Sequence, residues 1–96
     1  MMAFVSVYVD MAASADSVRA AVTQLRKPIG VLEVTVDCSS VTDMFGCRVA
    51  VDLQGAFDEQ TEGLAIARAY ASQLSLALGV PAIPFYDLLR SGYTAS

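Results

Sequence analysis

The chain has 96 residues, 55% of them hydrophobic and 17% charged, with no histidine or tryptophan and a formal net charge of −4. Charged residues make up roughly a quarter of ordinary domains, so this length and composition predict a single acidic domain, 1–96, with apolar surface left over for association. The six basic residues (Arg19, Arg26, Lys27, Arg48, Arg68 and Arg90) are scattered rather than gathered into the stripe that phosphate neutralisation needs, which argues against a nucleic-acid surface, and no nucleic-acid partner is expected.

The amino terminus lacks a basic lead and Asp10 interrupts its apolar run, so no secretory signal is expected and the chain reads as cytoplasmic. Ala3–Val9 alternates Val5, Val7 and Val9 with Phe4, Ser6 and Tyr8, a first strand with two apolar faces. Ser14 is placed as the N-cap of a helix whose Val18, Ala21, Val22 and Leu25 share one stripe, and Pro28 and Gly30 end it.

A hairpin follows, with alternating arms at Val31–Cys38 and Cys47–Leu53. The expected inward pairs are Leu32 with Leu53, Val34 with Val51, Val36 with Val49, and Cys38 with Cys47. On the outer face this register sets Asp37 against Arg48 and accepts a clash of Glu33 with Asp52. The turn, Ser39–Gly46, carries Val41 and Met44 at its tip.

Asp58, Glu59 and Glu62 stand at the expected start of a long helix, where acidic residues complement the dipole. The helix is predicted over Glu59–Leu78, ended by Gly79 and Pro81, with one stripe of Leu64, Ala67, Ala71, Leu74 and Leu78 and a second of Ile66, Ala69, Tyr70 and Ala77. No continuous apolar run from Gly63 to Tyr86 is long enough for a membrane span. Ala82–Tyr86 suits either a short edge strand, which tolerates Pro84, or a short helix begun by Pro84 and running through Arg90, the latter favoured because Phe85, Leu88 and Leu89 share a face. The fold class expected is α+β, a small antiparallel sheet with helices on one face in the order β-α-β-β-α, ferredoxin-like or a truncated form of it.

Without histidine, neither a Ser-His nor a Cys-His nucleophile pair exists, and the six glycines are isolated rather than gathered into a phosphate loop. An enzyme is not expected, and neither is a cofactor or metal site. Cys38 and Cys47 form no CxxC motif; buried free thiols are the expected state in a cytoplasmic chain, with a redox-sensitive cross-strand disulfide as the alternative that the hairpin offers.

The function expected is that of a non-catalytic protein-binding module, such as a small acidic inhibitor or immunity-type protein. It would contact another protein, itself as a homodimer, or both, through Val41, Met44, Tyr70, Phe85 and Tyr86 with acidic residues at the rim. The alternative is a small-ligand regulatory domain acting as an oligomer, because the element order resembles that of ACT domains.

Overall fold

The computed structural model describes residues 2–10, 13–38 and 49–90, with backbone alone at 38 and 88–90. The elements are β1 (Ala3–Val9), α1 (Ala15–Gln24), β2 (Val31–Cys38), β3 (Val49–Gly55), α2 (Leu64–Leu78), β4 (Ala82–Pro84) and α3 (Phe85–Arg90), with a π-helical turn at Glu59–Gly63 leading into α2. The four strands form one antiparallel sheet in the order β2-β3-β1-β4. Each neighbouring pair is thus joined through non-adjacent elements except β2 and β3, an arrangement compatible with the ferredoxin-like expectation.

Alternation along the strands sorts the sheet into cross-strand rows. On the helix side run Val34–Leu53–Val5, Val36–Val51–Val7 and Val49–Val9, and the two helices close over them with Val18 from α1 and Ala67, Tyr70, Ala71 and Leu74 from α2. On the opposite side run Glu33–Gln54–Phe4, Thr35–Asp52–Ser6 and Asp37–Ala50–Tyr8–Ile83. There Tyr8 and Ala50 form a smaller buried patch with Ile83 and Phe85, and the Ser6 hydroxyl donates to Asp52 Oδ1 at 2.7 Å. One face is therefore aliphatic and covered by the helices, with Val34 and Val36 half-buried at its β2 margin; the other grades from acidic at β2 to aromatic at β1 and β4.

The hairpin departs from its expected register by two residues. Val34 faces Leu53, Val36 faces Val51 and Cys38 faces Val49, with a bulge between Val31 and Glu33. Leu32, expected inward, is the residue left over and is 61% exposed. A two-residue slip preserves which face each side chain takes, so the aliphatic rows survive it. It also removes the expected clash, because Glu33 now faces Gln54 while Thr35 faces Asp52, and Asp37 faces Ala50 rather than Arg48.

Two glycines account for the slip. Gly30 has φ +92°, and its carbonyl accepts from the Ala56 N–H at 2.8 Å. A Cβ on Gly55 would collide with that same Gly30 carbonyl oxygen and with the Val31 backbone. Gly30 and Val31 can pass this closely only because Gly55 lacks a side chain, and the passage holds Val31 opposite Gly55.

Helix α1 is capped as the sequence indicates, with Ser14 Oγ accepting from the Ser17 N–H at 3.1 Å. Helix α2 ends at Gly79, whose φ of +71° permits its N–H to reach the Ser75 carbonyl at 2.8 Å. The tail takes both of its expected forms in succession: Ala82–Pro84 pairs with β1 as an edge strand, and helix α3 begins at the next residue. No described helix is long and apolar enough to cross a membrane.

Leu74 is fully enclosed, whereas Leu76, two positions on, is 86% exposed. Urea denaturation is expected to show Leu74→Ala losing about 2–5 kcal/mol through lost burial and a residual cavity, and Leu76→Ala staying within about 0.5 kcal/mol of the native chain. A second expectation concerns the glycine passage. Gly55→Ala, chemically a gain of one methyl, should destabilise more than Leu76→Ala and shift the amide resonances of residues 30–34, since backbone rather than a flexible side chain must give way. An unchanged spectrum for Gly55→Ala would contradict the passage.

Candidate functional site

An open groove of about 860 Å³ lies where the start of β1, the entry to α2 and helix α3 converge. Its apolar lining comes from Met2, Ala3, Phe57, Leu64 and Tyr86, and its polar lining from Asp58, Glu59 and Gln60. These residues are far apart in the chain and meet because β1 is central, with β3 delivering Phe57 on one side and β4 delivering Tyr86 on the other.

The entry to α2 is built closely onto β1. Asp58 Oδ1 accepts from the N–H groups of Gln60 (2.9 Å) and Thr61 (3.3 Å), while Glu62 Oε1 accepts from the Asp58 N–H at 3.1 Å. This is a reciprocal capping box with one extra residue, because the returning carboxylate stands four rather than three positions on. The π-helical turn accommodates that residue: the N–H groups of Glu62 and Gly63 both reach the Asp58 carbonyl, at 2.8 and 2.9 Å. Gly63 lies against Val5, where a Cβ would come within 2.9 Å of Val5 Cγ1. Two of the three acidic side chains at this turn are thus committed to capping. Glu59 is exposed and its carboxylate has no partner among the described residues.

Tyr86 is held in the groove wall from behind. Arg68 on α2 grips the Asp87 carboxylate with both arms, Nε to Oδ2 at 2.9 Å and Nη2 to Oδ1 at 2.7 Å, which ties α3 to the long helix. The preceding residue, Phe85, turns to the other face of the sheet, where its ring meets Tyr8 with centroids 5.4 Å apart and planes tilted by 44°.

The residues singled out in the sequence are therefore not brought together. Tyr86 lines the groove, Phe85 covers the opposite face, and Val41 and Met44 lie outside the described residues. Tyr70 is 1% exposed and belongs to the core rather than to any surface, because it falls in line with Ala67, Ala71 and Leu74 on the buried side of α2. Of the second stripe expected on that helix, Ile66 packs at the margin of the core while Ala69 and Ala77 are exposed. Of the candidate disulfide, Cys47 lies outside the described residues, and the backbone of Cys38 stands opposite Val49 rather than the expected Cys47. Among the described residues no group of three or more histidine, cysteine, aspartate or glutamate side chains is placed to hold a metal ion.

Sequence reasoning missed Met2, Phe57, Leu64 and Glu59 as a group. Phe57 directly before a capping aspartate is the available signal, since an apolar residue at that position commonly closes onto the helix it precedes. No protein-family model, curated protein or solved structure matches this chain.

Burial raises the hydroxyl pKa of Tyr70, and it raises that of Tyr8 with a smaller contribution from the Asp52 charge. An unfolded tyrosine ionises near pH 10, so the folded chain retains protons that the unfolded chain has lost above that pH. The stabilisation is fully present below about pH 10 and is lost as the pH rises through the folded-state values. Urea titrations between pH 8 and pH 11.5 should show stability falling above about pH 10, and Tyr70→Phe should flatten part of that fall. An identical alkaline slope in Tyr70→Phe would contradict the enclosed hydroxyl.

Proposed function

We propose that this chain is a non-catalytic protein-binding module of the small acidic inhibitor or immunity type, and that the groove at the entry to α2 receives an apolar side chain from a basic segment of its partner. The observation that carries this reading is the pairing of an apolar lining, Met2, Phe57, Leu64 and Tyr86, with the uncommitted carboxylate of Glu59 at its margin. An apolar centre with a charged margin is the composition by which protein interfaces combine affinity with orientation. The net charge of −4 favours encounter with a basic partner. The proposal includes an intracellular setting, and it allows a second copy of the chain as the occupant.

The groove's volume also lies in the range of small-ligand pockets, roughly 300–1,000 Å³, which favours a regulatory ligand-binding domain as the second reading. One pair of substitutions separates the two. Met2, 46% exposed, and Glu59 can both be changed without opening the core. Under the protein-binding reading, Met2→Asp and Glu59→Lys each weaken capture of one and the same protein from host extract by at least about tenfold, or about 1.4 kcal/mol. They also weaken any self-association seen by light scattering. If both variants capture as the native chain does, while a metabolite raises the native melting temperature by mass action and Leu64→Trp abolishes that rise, the ligand reading replaces it.

A further inference from the structure

Strand β2 is the outermost strand of the sheet, eight residues long, and no strand pairs with its outer edge among the described residues. The Leu32 carbonyl at the bulge accepts from the Lys27 ammonium at 3.3 Å, so the regular edge begins at Glu33. Along that edge the side chains of Glu33, Thr35 and Asp37 are exposed on the open face, while Val34 and Val36 lie half-buried on the helix side against the core. No lysine or arginine occurs within the described residues of the four strands. Asp52 in the adjacent row adds a third carboxylate to the same face, and the Ser6 hydroxyl donates to it.

An unpaired edge of this kind is a template for strand addition, where main-chain hydrogen bonds supply affinity and alternate side chains supply specificity. Each row of the sheet would simply be extended by one position. The best complement to Glu-Val-Thr-Val-Asp therefore has a basic residue beside Glu33, aliphatic residues beside Val34 and Val36, a small polar residue beside Thr35 and a basic residue beside Asp37. A second copy of β2 meets three of these requirements. Paired antiparallel about Thr35, it matches Thr35 with Thr35 and Val34 with Val36, but sets Glu33 against Asp37 at both ends, where directly opposed like charges are unfavourable. The charges thus discriminate against self-pairing and in favour of a basic strand.

We propose that the outer edge of β2 accepts an extended segment of another protein as a fifth strand, with lysine or arginine at alternate ends of a Val-Thr-Val-like centre. This edge shares no residue with the groove at the entry to α2, and the inference is independent of the function proposed there.

The test is a titration of the nitrogen-15-labelled chain with the capped peptide Lys-Val-Thr-Val-Lys, followed by amide chemical shifts. Shifts should saturate and concentrate on residues 33–37. Affinity should fall at least tenfold for the variant E33K/D37K, whose two substitutions are at exposed positions and whose amide spectrum reports retention of the fold. It should also fall tenfold for a peptide of the same composition with its lysines adjacent, which keeps the charge and loses the alternation. Equal binding of the reordered peptide, equal binding by E33K/D37K, shifts centred on Glu59 and Leu64, or no shift at any soluble peptide concentration would each overturn the proposal. Shifts at Glu59 and Leu64 report on the groove separately, so the two readings fail independently.

Discussion

The close passage of Gly55 beneath the Gly30 carbonyl is the constraint on which the arrangement of the sheet depends. With Gly30 at φ +92° and its carbonyl engaged by Ala56, Val31 must stand opposite Gly55. The chain then has one residue too many to reach the regular pairing, and Leu32 is expelled as a bulge. Every later pair follows: Glu33 opposite Gln54, Val34 opposite Leu53, Val36 opposite Val51. Because β3 also pairs with β1, the same setting determines which β2 residues extend the rows through Val5 and Val7. The position of the carboxylates on the open face is a consequence of two residues that have no side chain.

What the sequence made legible was parity and periodicity. The alternation of β1, β2 and β3 specifies which residues face the helices, and the structure keeps that assignment throughout the regular rows. It does not specify register, because shifting one arm by two residues changes every partner and no face. The register is decided at the far end of the hairpin from its turn, by a contact between Gly30 and Gly55 that is local in space and not in sequence. Tyr70 shows a related limit. On α2 the small residues Ala67, Ala69, Ala71 and Ala77 give little gradient of hydrophobicity around the helix, so the sequence assigns Tyr70 to a second stripe, whereas the sheet below buries it together with Ala67, Ala71 and Leu74 of the main one. Pro84 satisfied two readings at once for a physical reason, since it ends an edge strand where its missing N–H costs nothing and directly precedes a helix. The candidate site was legible only at Tyr86. Its other walls are contributed by the beginning of β1 and the end of β3, which become neighbours only through the central position of β1.

The two faces of the sheet divide the chain's physical tasks. The helix side holds nearly all of the fully enclosed aliphatic side chains, from Val5, Val7 and Val9 through Val51 and Leu53 to Leu74. The other side carries Glu33, Asp37 and Asp52 toward β2, and Tyr8, Ile83 and Phe85 toward β4. The acidic side chains around α2 are divided in the same manner: Asp58 and Glu62 stabilise the helix entry, and Glu59 is left at the margin of the groove. Asp58 and Glu62 are exposed but hold the cap, whereas Glu59 makes no capping bond, so the charge at Glu59 can be altered without disturbing the helix entry. That separation makes the surface readings open to experiment in a chain of only 96 residues.

The setting of β2 against β3 underlies the rows, the exposed bulge and the acidic edge together, and one measurement reaches it directly. Cross-strand nuclear Overhauser contacts in the isotope-labelled chain distinguish partners two residues apart. The account predicts contacts joining Val36 with Val51 and Cys38 with Val49, and a Leu32 that has no partner in β3. Contacts joining Val34 with Val51 and Val36 with Val49 instead, with Leu32 paired to Leu53, would contradict it.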